Sequence, residues 1–140
     1  MFSTLIHYTI NPLLLRLGLA AVFIYHGLTL VGGSEHDWGA HWNPGPDAPP
    51  GIVQLLVAWG ELIGGVAIGA GFLTRLAALG IIAIMAGAIA TVHWPNGFDI
   101  TKGGFEYNVV LIIMCVCLVL GGPGPLAVDR YFRIKRERKD

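Results

Sequence analysis

The sequence predicts an all-α integral membrane protein, a four-helix bundle with both termini on the cytoplasmic side. Three observations point there. Of 140 residues, 54% are hydrophobic and 13% charged, with a mean hydropathy of +0.65; soluble domains usually carry about 25% charged residues. The apolar residues gather into four runs close to membrane-spanning length. Lys and Arg concentrate at one end of that pattern. The composition excludes a disordered chain. Nine basic residues balance nine acidic ones, so there is no basic excess for a nucleic-acid partner. The length suits a single domain.

A bilayer core of ~30 Å takes roughly 20 helical residues. The first run, Pro12 to Val31, meets that length. Asn11 is its expected N-cap, and Pro12 falls in the first turn, where a missing N–H costs nothing. No Lys or Arg precedes the run, and it is too long for a signal peptide's apolar region. The second and third runs, Gly51 to Leu73 and Leu76 to Val92, are also long enough. They are joined so closely that they should form an antiparallel hairpin. The fourth, Tyr107 to Gly121, is short and should begin in the interface. The Gly-Pro stretch from Gly121 to Pro125 stops it. The expected helices are residues 12–31, 51–73, 76–93 and 105–121.

Orientation follows from the cations. The basic tail, 129–140, carries Arg130, Arg133, Lys135, Arg136, Arg138 and Lys139, and the hairpin turn carries Arg75. The loop Gly32–Pro50 has no Lys or Arg, and the loop Trp94–Phe105 has only Lys102. By the positive-inside rule the tail and the hairpin turn are cytoplasmic, in a multi-pass membrane protein. The Gly32–Pro50 loop, with Glu35, Asp37, Asp47, Trp38 and Trp42, suits an irregular lid anchored at the headgroups. Tyr131, Phe132 and Ile134, set among basic residues, suit a segment lying on anionic lipid. The pairs Gly60/Gly64, Gly65/Gly69, Ala83/Gly87 and Ala86/Ala90 are spaced for close helix packing in lipid.

The few ionisable residues in or beside the spans are the candidate site. A charge at mid-membrane costs about 2.5–3.5 kcal/mol on insertion scales. At 1.5 Å per residue His26 lies roughly 8 Å below the outer boundary and Glu61 roughly 15 Å. His93 and Glu106 sit near that boundary. Each helix thus places one ionisable group in the outer half, where they can converge on an outward-facing polar cavity. Arg16 lies deeper, one turn in from the cytoplasmic side. Two readings of Arg16 stand: its head reaches Glu61 as an ion pair, or it snorkels to the cytoplasmic interface. His26, His93 and Glu106 have equally plain structural readings, as a histidine bonded to a backbone carbonyl and as interfacial residues. Glu61 is too short to snorkel from its depth and is the strongest functional candidate. His26 and Glu61 are the expected catalytic pair, and Arg16, His26, Glu61, His93 and Glu106 the expected cofactor-binding set.

Other motifs are weaker. Cys115 and Cys117 are about 200° apart on one helix, cannot bridge each other, and suit buried packing. His36, Asp37 and His41 lack a diagnostic metal spacing, so no metal site is assigned. His26 and His93 could ligate a haem across helices. The chain has no Walker motif and no strand-borne G-x-G-x-x-G.

Taken in order, these residues resemble the DoxX family of small bacterial membrane proteins. The resemblance runs from about Leu14 to Asp129. It rests on Arg16-Leu17-Gly18, His26-Gly27, Glu61-x-x-Gly64-Gly65, Gly69, Thr74-Arg75, Ala77-Ala78, His93, Gly97-Phe98, Glu106, Gly122-Pro123-Gly124 and Asp129. One departure is Thr29-Leu30, where the family often carries a lysine. The resemblance implies a four-helix inner-membrane bundle and association with redox enzymes, a thiosulfate:quinone oxidoreductase among them.

Three functions are expected. The first is a membrane subunit associated with an oxidoreductase, binding a quinone or similar redox lipid in the outer cavity and taking electrons through a protein partner. There His26 would exchange a proton, Glu61 relay it, and Arg16 hold Glu61 ionised. The alternative is a structural or assembly subunit of a membrane complex, in which the polar residues only set helix register. A small-solute or proton carrier ranks third, because no inverted repeat is visible.

Overall fold

Four apolar helices follow one another, and local chemistry sets each turn between them. The computed structural model describes residues 6–33, 37–46 and 48–137, with side chains described as far as Phe132. A π-helical turn, Ile6–Ile10, leads into α1 (Asn11–Gly32). The hairpin partners are α2 (Gly51–Ala70) and α3 (Thr74–Ala88). α4 spans Glu106–Gly121, and a final amphipathic helix, α5, spans Val128–Glu137. Among the described residues there is helix but no strand.

Several ends differ from the sequence expectation. Asn11 is not an N-cap, because the π turn continues the helix upstream and Ile10 holds that position without a side-chain cap. α2 stops at Ala70 rather than at residue 73. Gly71 takes φ +71°, and Phe72 N–H donates to Ala67 O at 2.9 Å. That is the left-handed glycine ending, which closes a helix by folding the next residue back. α3 then begins two residues earlier than expected. Asp129, from far along the chain, caps it: its carboxylate accepts from Leu73 N, Thr74 N and Thr74 Oγ1 at 2.7, 2.9 and 2.8 Å. A negative group at a helix N-terminus satisfies orphan N–H donors and complements the dipole.

α3 does not end at residue 88 in space. A π turn, Ile89–His93, and a 3-10 turn, Trp94–Asn96, prolong it into one apolar helical stretch of 23 residues. Pro95 has no N–H to return to Thr91 O, so the α ladder cannot run through it. Thr91 Oγ1 also donates back to Gly87 O at 2.8 Å, and the ladder shifts register at this point.

Three helices are long and apolar enough to cross a membrane, and α4 is a shorter apolar helix. Their outward faces carry Leu14, Leu17, Leu28, Leu56, Ile63, Leu79 and Ile113, all exposed. Such a surface has no counterpart on a soluble monomer and is the normal one in lipid. The chain is a multi-pass membrane protein.

Packing is closest between α1 and α2. A Cβ on Gly27 would stand 2.5 Å from Leu62 N, and one on Gly65 2.9 Å from Ile24 N. Gly60 and Gly64 face Ile84 and Ile81 of α3 instead, while Gly65 and Gly69 face α1. The two small-residue pairs of α2 therefore serve different neighbours. The pairs expected on α3 do not pack: Ala83, Ala86, Gly87 and Ala90 are exposed, and Gly87 has no atom within 4 Å of where its Cβ would stand. Cys115 is in the core, whereas Cys117 is exposed, so only the first is a buried packing residue. The core is Leu19, Phe23, Ile68, Ala78, Ile81, Met85, Leu111, Cys115 and Leu118. It fills the half of the bundle towards the hairpin turn and leaves the opposite half open.

Candidate functional site

The open half holds a cavity of about 710 Å³ to which all four helices contribute. Phe23, Met85 and Leu111 belong to both core and cavity, and so form its floor. α1 supplies Val22 and His26, α2 supplies Val53, Gln54, Val57 and Glu61, and α4 supplies Tyr107 and Asn108. α3 and its π turn supply Ala83, Gly87, Thr91 and His93. Trp42, Pro49 and Ile100 close in from the loops. The lining is mostly apolar with a few polar groups, the usual make-up of a small-molecule site.

Glu61 is the unusual member. It is 6% exposed, and its Oε2 is buried with no hydrogen-bond partner. Buried polar atoms are nearly always satisfied, so an orphaned carboxylate oxygen facing a cavity needs a reason. His93 is held from outside the cavity. Its Nδ1 lies 2.7 Å from Gly103 O. A carbonyl only accepts, so Nδ1 carries the proton and the neutral ring keeps Nε2 as an acceptor. Gly103 is positioned by φ +77° and by the short turn Ile100–Lys102, capped by Asp99. His26 is exposed at the cavity rim, edge-on to Tyr25 at 5.9 Å.

Three of the five expected site residues, His26, Glu61 and His93, thus line one cavity. Glu106 does not; it is half-buried in the first turn of α4 and suits the dipole there. Tyr107 and Asn108, the next two residues, line the cavity in its place.

Arg16 is neither paired with Glu61 nor snorkelled. It is 2% exposed at the other end of the bundle. Its Nε donates to Ile68 O at 2.9 Å and its Nη2 to Gly69 O at 2.7 Å. Its Nη1 donates to Pro123 O at 3.2 Å and Leu126 O at 2.7 Å. The guanidinium satisfies carbonyls at the C-terminal end of α2 and ties the α4–α5 loop to them. Ile68 is seven residues past Glu61 on one helix, about 10 Å along its axis. The physical reason for the difference is the break after Ala70, which exposes carbonyls that a fork of N–H donors fits better than a distant carboxylate does.

Two amides had not stood out from the sequence. Gln54, 2% exposed, accepts from Asn43 N at 2.8 Å and donates to Asn43 O and Pro49 O at 3.2 and 2.9 Å. Trp42 Nε1 donates to Gln54 O at 3.0 Å. Gln54 therefore clamps the loop over the cavity, which Trp42 lines. Asn108 donates to Met85 Sδ at 3.5 Å. Each of the two is an amide inside an apolar run, without the charge that marks Glu61.

Asp37 Oδ2 and His41 Nδ1 are hydrogen-bonded at 2.9 Å, while His36 lies outside the described residues. Among the described residues no group of three His, Cys, Asp or Glu could hold a metal ion. Glu35, Asp47, Arg138 and Lys139 also lie outside the described residues.

The DoxX family model matches residues 11–94, a span that includes Arg16, His26, Glu61 and His93. A Bacillus subtilis (strain 168) protein, described as "Putative oxidoreductase CatD", is 32% identical over 124 residues, covering 89% of this chain and 88% of its own. An uncharacterised Haemophilus influenzae protein is 25% identical over 129 residues, covering 89% of this chain and 84% of its own. No solved structure matches.

Proposed function

The chain belongs to the DoxX family, and from that premise we propose that it is an inner-membrane subunit working with an oxidoreductase. Its cavity takes the head group of a quinone or similar redox lipid. The observation that carries this reading is the buried, unpartnered Glu61 Oε2 facing a mostly apolar cavity. An unsatisfied buried acceptor costs about 1–3 kcal/mol or more, and a head-group hydroxyl is a donor that would relieve it. A quinone supplies two-electron, two-proton chemistry when bound. The chain's own part is to bind, orient and handle protons. Glu61 Oε2 accepts at the cavity's depth, His93 Nε2 stands as a second acceptor, and His26 connects the rim to solvent. Ala83 and Gly87 leave room for an apolar tail. The name of the Bacillus relative supports a redox association, and electrons come through a partner protein. Arg16 has no part in this site.

The test is binding of a soluble quinol analogue, the reduced form whose hydroxyls can donate, to protein purified from its membrane, in wild type, Glu61→Gln and His26→Ala. A buried hydrogen bond left unmade costs about 1–3 kcal/mol, and a glutamine amide cannot exchange a proton with the hydroxyl, so Glu61→Gln should weaken binding about fivefold or more. Wild-type affinity in both variants, with unchanged unfolding, defeats the reading. A haem Soret band in the purified protein would replace it with a haem ligated by His26 and His93.

Arg16 favours a second reading, a structural or assembly subunit, because all its hydrogen bonds serve the fold. In that case exchange of the loop or tail releases the partner, and Glu61→Gln leaves the complex intact.

A further inference from the structure

At the end of the bundle opposite the cavity, a second cleft of about 990 Å³ opens between the first π turn, the start of α3, the Gly121–Pro125 loop and α5. We propose that this cleft binds the phosphate head group of an anionic phospholipid. Its cations are Arg75 and Arg130, both exposed, and neither forms an ion pair among the described residues. His7 lines the same cleft. The acid on its wall is Asp129, whose two oxygens are already taken by the first N–H groups and the hydroxyl of α3. α5 continues with Arg133, Lys135 and Arg136 in its sequence.

Position selects a lipid. α1 begins at Asn11, α3 at Thr74, and α4 ends at Gly121, so the cleft lies where spans meet headgroups. From it, Leu76 and Leu79 lead up the exposed face of α3, and no atom lies within 4 Å of where a Cβ on Gly80 would stand. That gives an apolar track for an acyl chain directly beside two arginines. A free anion would use only the arginines.

The experiment is native mass spectrometry of the full chain in detergent, titrated with phosphatidylglycerol or phosphatidylcholine. Inorganic phosphate is compared in a parallel thermal-unfolding series. Wild type should retain phosphatidylglycerol preferentially. A basic residue near an anionic surface accounts for about fivefold in affinity, so the double variant Arg75→Gln/Arg130→Gln should bind roughly 25-fold more weakly. Arg75→Lys/Arg130→Lys should stay close to wild type. Equal retention by the glutamine variant, or equal retention of the two lipids by wild type, overturns the proposal. Protection by phosphate alone as strong as by phosphatidylglycerol overturns it too, in favour of a free-anion site. Should the glutamine variant unfold, the two-lipid comparison on wild type still decides.

Discussion

Replacing Arg16 by methionine keeps the side chain's length and apolar stem and removes every donor. Four carbonyls then lose a donor. They are not equal. Ile68 O is bonded in a buried setting but keeps Gly71 N–H at 3.1 Å, so it loses one of two donors, worth about 0.5–1.5 kcal/mol. The other three bonds are partly buried, so water can replace the guanidinium at about 0.5 kcal/mol each. Relief of the desolvated charge offsets part of the loss. The expected net destabilisation is about 1–3 kcal/mol. Arg16→Lys keeps the charge but lacks the fork, so a single ammonium cannot serve both the α2 end and the loop; about half that loss should remain. The assay is reversible unfolding in mixed micelles, followed by tryptophan fluorescence. Asp129 attracts Arg16 electrostatically and belongs to the same end of the bundle, so Arg16→Met and Asp129→Asn should couple by about 0.5–3 kcal/mol. Arg16→Met and Glu61→Gln should add within about 0.5 kcal/mol. A loss below 1 kcal/mol would return Arg16 to a snorkelling role, and strong coupling to Glu61 would restore the ion pair.

Two further outcomes follow from the packing and the charge pattern. Gly27→Ala forces a Cβ to within 2.5 Å of Leu62 N and should cost about 1–3 kcal/mol, whereas Gly87→Ala should be neutral or stabilise by up to about 1 kcal/mol; equal effects in the same unfolding assay would contradict the α1–α2 contact. In a Cys115→Ala/Cys117→Ala chain, Gly45→Cys should react with an impermeant maleimide on intact cells and Asp140→Cys only after permeabilisation, and the reverse pattern would invert the topology.

The apolar helices and the hairpin were legible because apolar run length is a one-dimensional property. The stop after Ala70 was harder to see, since Gly71 stands in an unbroken apolar run and its turn depends on a left-handed backbone that composition does not announce. The place of Glu61 midway along α2 was likewise readable from counting along a helix. The destination of Arg16 was not. Reach allows a long side chain several partners, and the carbonyls it serves exist only once α2 ends early and residues 123–126 fold back. Asp129 posed the same problem: a cap borrowed across more than fifty residues leaves no local trace. Gln54 and Asn108 were visible but uncharged, and an amide in a span signals only when its neighbours in space are known.

The two ends of the bundle treat buried polarity in opposite ways, and that contrast bears on function. At the basic end, Arg16 and Asp129 meet backbone groups that the helix ends leave open, so each charge has a donor or acceptor to answer it. At the loop end, Gln54 is fully engaged by the loop, yet Glu61, two turns deeper on the same helix, keeps an unanswered oxygen. A chain that engages buried Arg16, Gln54 and Thr74 this fully has the means to satisfy one more. A serine or a second amide on the facing turn of α1 or α3 would do it, but small and apolar residues stand there instead: Val22, Ala83 and Gly87. The vacancy in the hydrogen-bond pattern coincides with the gap in the packing. Both are accounted for if the missing partner is a molecule rather than a side chain.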